Sequence, residues 1–172
     1  MPIGPGKELP AEAAYPDRLY TVEHTITTAL TKELQYARLG RGNHSIFHTV
    51  LHASLLFIYT NLRQTPVGGA IRNALVNRLQ NHLEQLDKDD MADRFPAVML
   101  WVFHLGLVTA AWTPSGLFWT GFLRRVCLER RLESWRDVEK EMEGLPIFEN
   151  VYRGMCEMAW NERVYVNMIG DL

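Results

Sequence analysis

His44, His48 and His52 recur at four-residue steps in the stretch from Asn43 to Ala53. On a helix that spacing aims successive imidazoles toward one side, and imidazole is the commonest side-chain ligand for zinc-class cations. The trio is therefore the sharpest candidate for metal chemistry in the chain. Each four-residue step also turns the side chain by about 40°, so the third ring stands roughly 80° from the first. One ion would take two of the three and need donors from elsewhere, and no carboxylate lies within the stretch. The competing reading is that the rings edge a buried helix and bond locally or to water.

His104 stands alone among Trp101, Val102, Phe103, Leu105 and Leu107. In such company a histidine is expected to satisfy a carbonyl or carboxylate on a neighbouring helix rather than to act as a general base. Should the helices enclose a ligand pocket, Trp101, His104 and Trp119 are the residues expected to line it. His24 beside Glu23, and His82 close to Glu84, read as polar-face residues without a role. Cys127 and Cys156 each lie in an apolar, helix-like stretch, and only the arginines near Cys127 favour a thiolate. Both read as reduced core thiols, not nucleophiles. Arg124, Arg125, Arg130 and Arg131 suit phosphate, an acidic partner or nuclear import, yet Glu129 and Glu133 interleave them, and a solvated helix end accounts for them equally well. Met142, Met155, Met158 and Met168 read as adaptable core filler. No catalytic constellation emerges, so the chain is expected to be no enzyme and to need no cofactor.

The elements that position these residues belong to one domain. A chain of 172 residues with 47% hydrophobic and 22% charged content buries a sizeable core. A net charge of −2, from 18 Lys and Arg against 20 Asp and Glu, offers no positive field for a phosphate backbone, so no direct nucleic-acid binding is expected. Residues 1–17 contain Pro2, Pro5, Pro10 and Pro16 and suit a flexible lead-in, with a single helical domain over 18–172. The lead-in lacks the apolar core of a signal peptide, which makes an intracellular address the expectation. The longest apolar run, Ala97 to Trp112, is broken by His104 and falls short of the roughly 18 to 20 residues that a bilayer requires. It reads as a buried central helix.

Apolar residues recur at three- and four-residue steps throughout. Leu19, Val22, Ile26, Leu30 and Leu34 mark a helix from Asp17 to about Arg38, ended by Gly40 and Gly42. Asn43 starts a second, and Thr65 followed by Pro66 starts a third that carries Leu75, Leu79, Leu83 and Leu86. Asp87 to Asp90 reads as a charged turn. Pro96 opens the central helix, Thr113 and Pro114 divide it from the next, and Ser134 to Asp137 forms a variant capping box for a short helix that stops near Gly144. A last helix runs from about Glu149 to Met168. No alternating strand, Gly-rich phosphate loop or repeat interrupts the pattern, so the fold class is all-α, an irregular bundle of about six or seven helices.

The run Val98-Met-Leu-Trp-Val-Phe-His-Leu-Gly-Leu-Val-Thr-Ala-Ala111 is similar to a Leu-Trp-x-x-x-x-Gly-x-x-Ala helix. Trp119 and Leu123 follow at a familiar spacing, then Leu132-Glu-Ser-Trp-Arg-Asp-Val138, Leu145-Pro-Ile-Phe148 and Trp160. In this order the motifs resemble the C-terminal part of the fungal-specific transcription factor domain, the regulatory or middle homology region of zinc-cluster transcription factors. Upstream, Ala53 to Arg63 with Pro66, and Leu75 to Leu83, resemble that family's preceding helices. The six-cysteine zinc cluster of such regulators has no counterpart in a chain with two cysteines. The resemblance implies a helical domain that regulates transcription through a protein partner or self-association, in the nucleus, with its tryptophans as packing residues. A small-molecule effector bound between helices is the alternative, and a metal-dependent enzyme using His44, His48 and His52 is a third.

Overall fold

A computed structural model describes residues 15–38, 46–66, 68–86, 88–110, 115–146 and 151–165. Among these residues it contains eight α-helices and no strand. They are α1 (Tyr15–Arg38), α2 (Ile46–Phe57), α3 (Ala70–Glu84), α4 (Lys88–Arg94), α5 (Pro96–Ala110), α6 (Gly116–Arg130), α7 (Trp135–Glu141) and α8 (Val151–Ala159). Two π-helical turns, Ile58–Leu62 and Trp160–Tyr165, continue α2 and α8. The all-α expectation therefore holds.

The central helix is α5. Every residue from Met99 to Ala110 is buried, and α2, α3, α4, α6, α7 and α8 all pack on it. A helix apolar on every side requires such enclosure, because any face left in water would waste roughly 25 cal/mol for each Å² of apolar surface. Among the described residues, no helix is long and apolar enough to cross a membrane. Close packing against α6 depends on Gly106, where a Cβ would stand 2.2 Å from Cε3 of Trp119. That position admits only hydrogen beside an indole ring.

The outer helix α1 packs mainly on α2, with Leu30, Ile26 and Ala29 joining the core. Its threonines return their hydroxyls to the preceding turn, with Thr21 donating to the Asp17 carbonyl at 2.8 Å and Thr31 to that of Thr27 at 2.9 Å. Glu23 accepts both Nε and Nη2 of Arg63, which ties α1 to the end of the first π turn. α1 starts at Tyr15, ahead of Asp17, which lies in its first turn.

Two expected boundaries need correction. The third helix begins at Ala70, not after Pro66, because Thr65 is engaged elsewhere: its hydroxyl donates to the Tyr59 carbonyl at 2.7 Å and accepts from Arg72 Nε at 3.1 Å. Gly68, at φ +75°, then turns the chain into α3. Residues 88–94 form a short helix where a charged turn was expected. Asp90 and Arg94 pair on its wet side at 3.1 Å while Ala92 is buried, so the charges coexist with an inward face. The capping box occurs as read: the Ser134 hydroxyl accepts the Asp137 N–H at 3.2 Å, and the Asp137 carboxylate accepts the Ser134 N–H at 2.9 Å. The expected signals at Gly40, Gly42, Asn43, Thr113 and Pro114 lie outside the described residues.

Candidate functional site

His48 and His52 lie one turn apart on α2, and His82 reaches them from α3. Ring centroids are 4.6 Å apart for His48 and His52, 4.3 Å for His48 and His82, and 6.0 Å for the stacked His52 and His82. His44, the third member of the expected trio, lies outside the described residues. The stripe Leu75, Leu79, Leu83 and Leu86 carries His82 inward at helical spacing, so its burial was readable from the α3 pattern.

The ring geometry does not make a coordination site. His52 Nδ1 lies 3.1 Å from the His48 carbonyl. A carbonyl only accepts, so in the neutral ring Nδ1 holds the proton. Burial, helped by the Arg78 charge and opposed by the backbone bond to His48, lowers the His52 pKa, which favours that neutral form. His48 Nδ1 is 3.2 Å from both nitrogens of His82. A group equidistant from the two nitrogens approaches the carbon between them, off both lone-pair axes. Among the described residues no three histidine, cysteine or carboxylate side chains are placed to hold a metal ion.

His104 is 2% exposed, and neither ring nitrogen has a hydrogen-bond partner among the described residues. The expected carbonyl or carboxylate partner is replaced by the face of Trp135, whose ring centroid is 4.7 Å away. Burial alone pushes the His104 pKa down to about 3, so the imidazole is neutral at physiological pH. Leaving its polar atoms unmatched costs about 1–3 kcal/mol. The other two expected pocket residues are packed. Trp101 Nε1 donates to the Pro146 carbonyl at 2.9 Å, and Trp119 is fully buried against Gly106 and Phe103.

A cleft of roughly 500 Å³ opens between α7 and α8, lined by Glu133, Ser134, Trp135, Arg136, Glu139, Arg153, Glu157, Trp160 and Asn161. Arg153 Nη2 bonds Glu139 Oε2 across it at 2.7 Å. Trp135 lines this cleft and also covers His104, so its ring separates the cleft from the buried imidazole.

Neither thiol is poised to react. Both cysteines are free and buried. Burial raises the Cys127 pKa to about 11, partly offset by the Trp160 side chain, and burial raises that of Cys156 as well.

Sequence reasoning missed one inward cation. Arg72, 2% exposed, donates from Nη2 to the Thr60 carbonyl at 3.0 Å and from Nε to the Thr65 hydroxyl. It latches the π turn to α3, a structural duty. An extra residue in a helical turn frees carbonyls that need such donors.

No family model, curated protein or solved structure matches this chain.

Proposed function

We propose that the chain is a non-enzymatic helical domain that acts by binding protein, in the setting of transcription regulation. The observation that carries the reading is the outward placement of large apolar side chains: Leu117 is 79% exposed, with Leu128 on the same helix, and Tyr20, Phe47 and Ile71 project from three others. Single exposed apolar residues are common, but Leu117 and Leu128 share one face of α6, and apolar groups gathered on an exposed face are a common means of recognising another surface. The transcriptional setting, and with it a nuclear address, rests on the resemblance of residues 98–164 to the fungal transcription factor domain.

The test is native size fractionation of the endogenous protein in extracts of its source cells, beside the purified chain. Migration of the cellular protein as a larger assembly supports the reading. Identical, monomeric migration of both forms contradicts it.

One observation favours a second reading. The α7–α8 cleft has the volume of a small-ligand site, and the Arg153–Glu139 pair offers both charges to a polar metabolite. A thermal-shift screen of metabolites tests it: stabilisation that Arg153→Ala abolishes supports a sensor, and flat responses across chemically diverse compounds contradict one.

A further inference from the structure

Nδ1 and Nε2 of His104 and Nε1 of Trp135 are buried without a hydrogen-bond partner among the described residues, and all three belong to one pair of touching rings. The ring centroids are 4.7 Å apart with planes tilted by 33°, and the residues are only 2% and 6% exposed. One turn to either side of His104 on α5, Leu100 and Val108 are apolar and buried. Burial alone acts on its ionisation, so the imidazole is neutral and offers one donor and one acceptor. Unmatched polar atoms are uncommon in native cores, and a cluster of them calls for a partner.

The ring that covers His104 has somewhere to go. Trp135 is the first residue of α7, directly after the capping Ser134. No earlier helical turn lies behind it, so staggered χ1 positions closed to side chains within a helix are open to it. Its ring already walls the α7–α8 cleft, and roughly 500 Å³ is the volume of a whole small-ligand site, ample for one indole. Rotation about the Cα–Cβ bond would carry the ring from the His104 side into the cleft. The space left behind has the outline of an indole, with His104 on its wall and a path to water through the cleft.

We propose that the cleft leads to a cryptic binding site, in which a flat, uncharged nitrogen heterocycle of about indole size replaces the Trp135 ring beside His104 and hydrogen-bonds its imidazole. The vacated shape sets the size of the ligand. His104 sets its chemistry: a ring nitrogen meets a waiting donor or acceptor, whereas an ion would be buried there without a counter-charge. A free ring, unlike one tethered to α7, can turn its edge to the imidazole. This rests on the small-ligand reading of the cleft and adds to it a position, a moving residue and a ligand class.

The probe is benzimidazole, uncharged at neutral pH, compared with indene, which has nearly the same outline and no nitrogen. Each is titrated into the whole chain and followed by NMR. The Trp135 indole N–H signal, assigned by its loss in Trp135→Phe, should shift and exchange faster with water as benzimidazole binds. Benzimidazole should bind about tenfold or more tighter than indene. His104→Leu should reverse that order, because benzimidazole then gives up its hydration without replacement, while His104→Gln, with a donor and an acceptor, should retain it. Trp135→Ala, its ring already gone, should bind benzimidazole about tenfold tighter than wild type, since no swing precedes binding. If that variant fails to fold, the wild-type signal and the two His104 variants still decide. A Trp135 signal unmoved by benzimidazole, or a preference that His104→Leu leaves in place, overturns the proposal. So does a crystal grown with benzimidazole in which ordered water fills the hydrogen bonds of His104 and Trp135 keeps its place. A metabolite whose stabilisation needs Arg153 but is indifferent to His104→Leu, and leaves the Trp135 signal unmoved, keeps the cleft reading and removes the cryptic site. Absence of binding by benzimidazole and by every screened metabolite removes both.

Discussion

The ring of Trp119 occupies the space that any side chain at Gly106 would need, with a built Cβ only 2.2 Å from Cε3. The contact joins α5 to α6 and thereby fixes the orientation of the outward face of α6. Gly106→Ala is expected to destabilise the fold by about 2–4 kcal/mol, because Trp119 is fully enclosed and has no room to retreat. Urea denaturation checks this. Adding Trp119→Leu to Gly106→Ala should cost less than the sum of the two single changes, since the clash and its cause disappear together.

His104 predicts a pH dependence with a definite sign. Its pKa falls from 6.5 in the unfolded chain to about 3 when buried. Below 6.5 the unfolded state binds the extra proton, so stability is full above that pH and declines as pH falls, until the folded pKa is passed. The loss should reach about 2 kcal/mol by pH 5 from this residue. His52 is shifted in the same direction, so His104→Leu should flatten the pH dependence of the unfolding free energy without abolishing it. An unchanged slope in that variant would remove His104 from the account.

Arg72 should matter locally more than its type suggests. Arg72→Met removes the donors to the Thr60 carbonyl and the Thr65 hydroxyl, at an expected cost of about 2–4 kcal/mol. Amide hydrogen exchange should rise first over residues 58–66, with α6 and α7 protected until global unfolding.

The thiols supply a probe of core integrity. Iodoacetamide should leave Cys127 and Cys156 unmodified in the native protein at neutral pH and label both rapidly in denaturant, because burial both shields them and raises their pKa values. Mass spectrometry reads the difference directly.

The fold class and most helices were legible because apolar residues on a half-buried helix repeat at its period. α5 announced its enclosure by lacking any polar face. What the pattern hid depends on neighbours distant in sequence. The spacing of His48 and His52 revealed one helix face but not His82, which comes from another helix 34 residues beyond His48. His82 reads as a polar-face residue by its closeness to Glu84, yet the leucine stripe beside it carries it inward. The π turns leave no mark in composition, and because each lies at the end of its helix there is no later stripe for the extra residue to displace. Nothing in the sequence around Arg72 marks it for burial, and only the turn it latches explains it. Trp101, His104 and Trp119, the expected pocket residues, are buried in the core, and the described cleft is lined by Trp135, Trp160 and polar neighbours contributed by α7 and α8.

Tethering the chain to DNA reads out the proposed protein binding in a transcriptional setting. Fused to an unrelated DNA-binding module upstream of a reporter gene in cells of its source organism, the wild-type chain should change transcription severalfold. The Leu117→Asp, Leu128→Asp double variant, folded but altered on the α6 face, should lose most of that effect. Reporter output equal to that of the DNA-binding module alone, with the fusion confirmed as expressed and folded, would contradict the account.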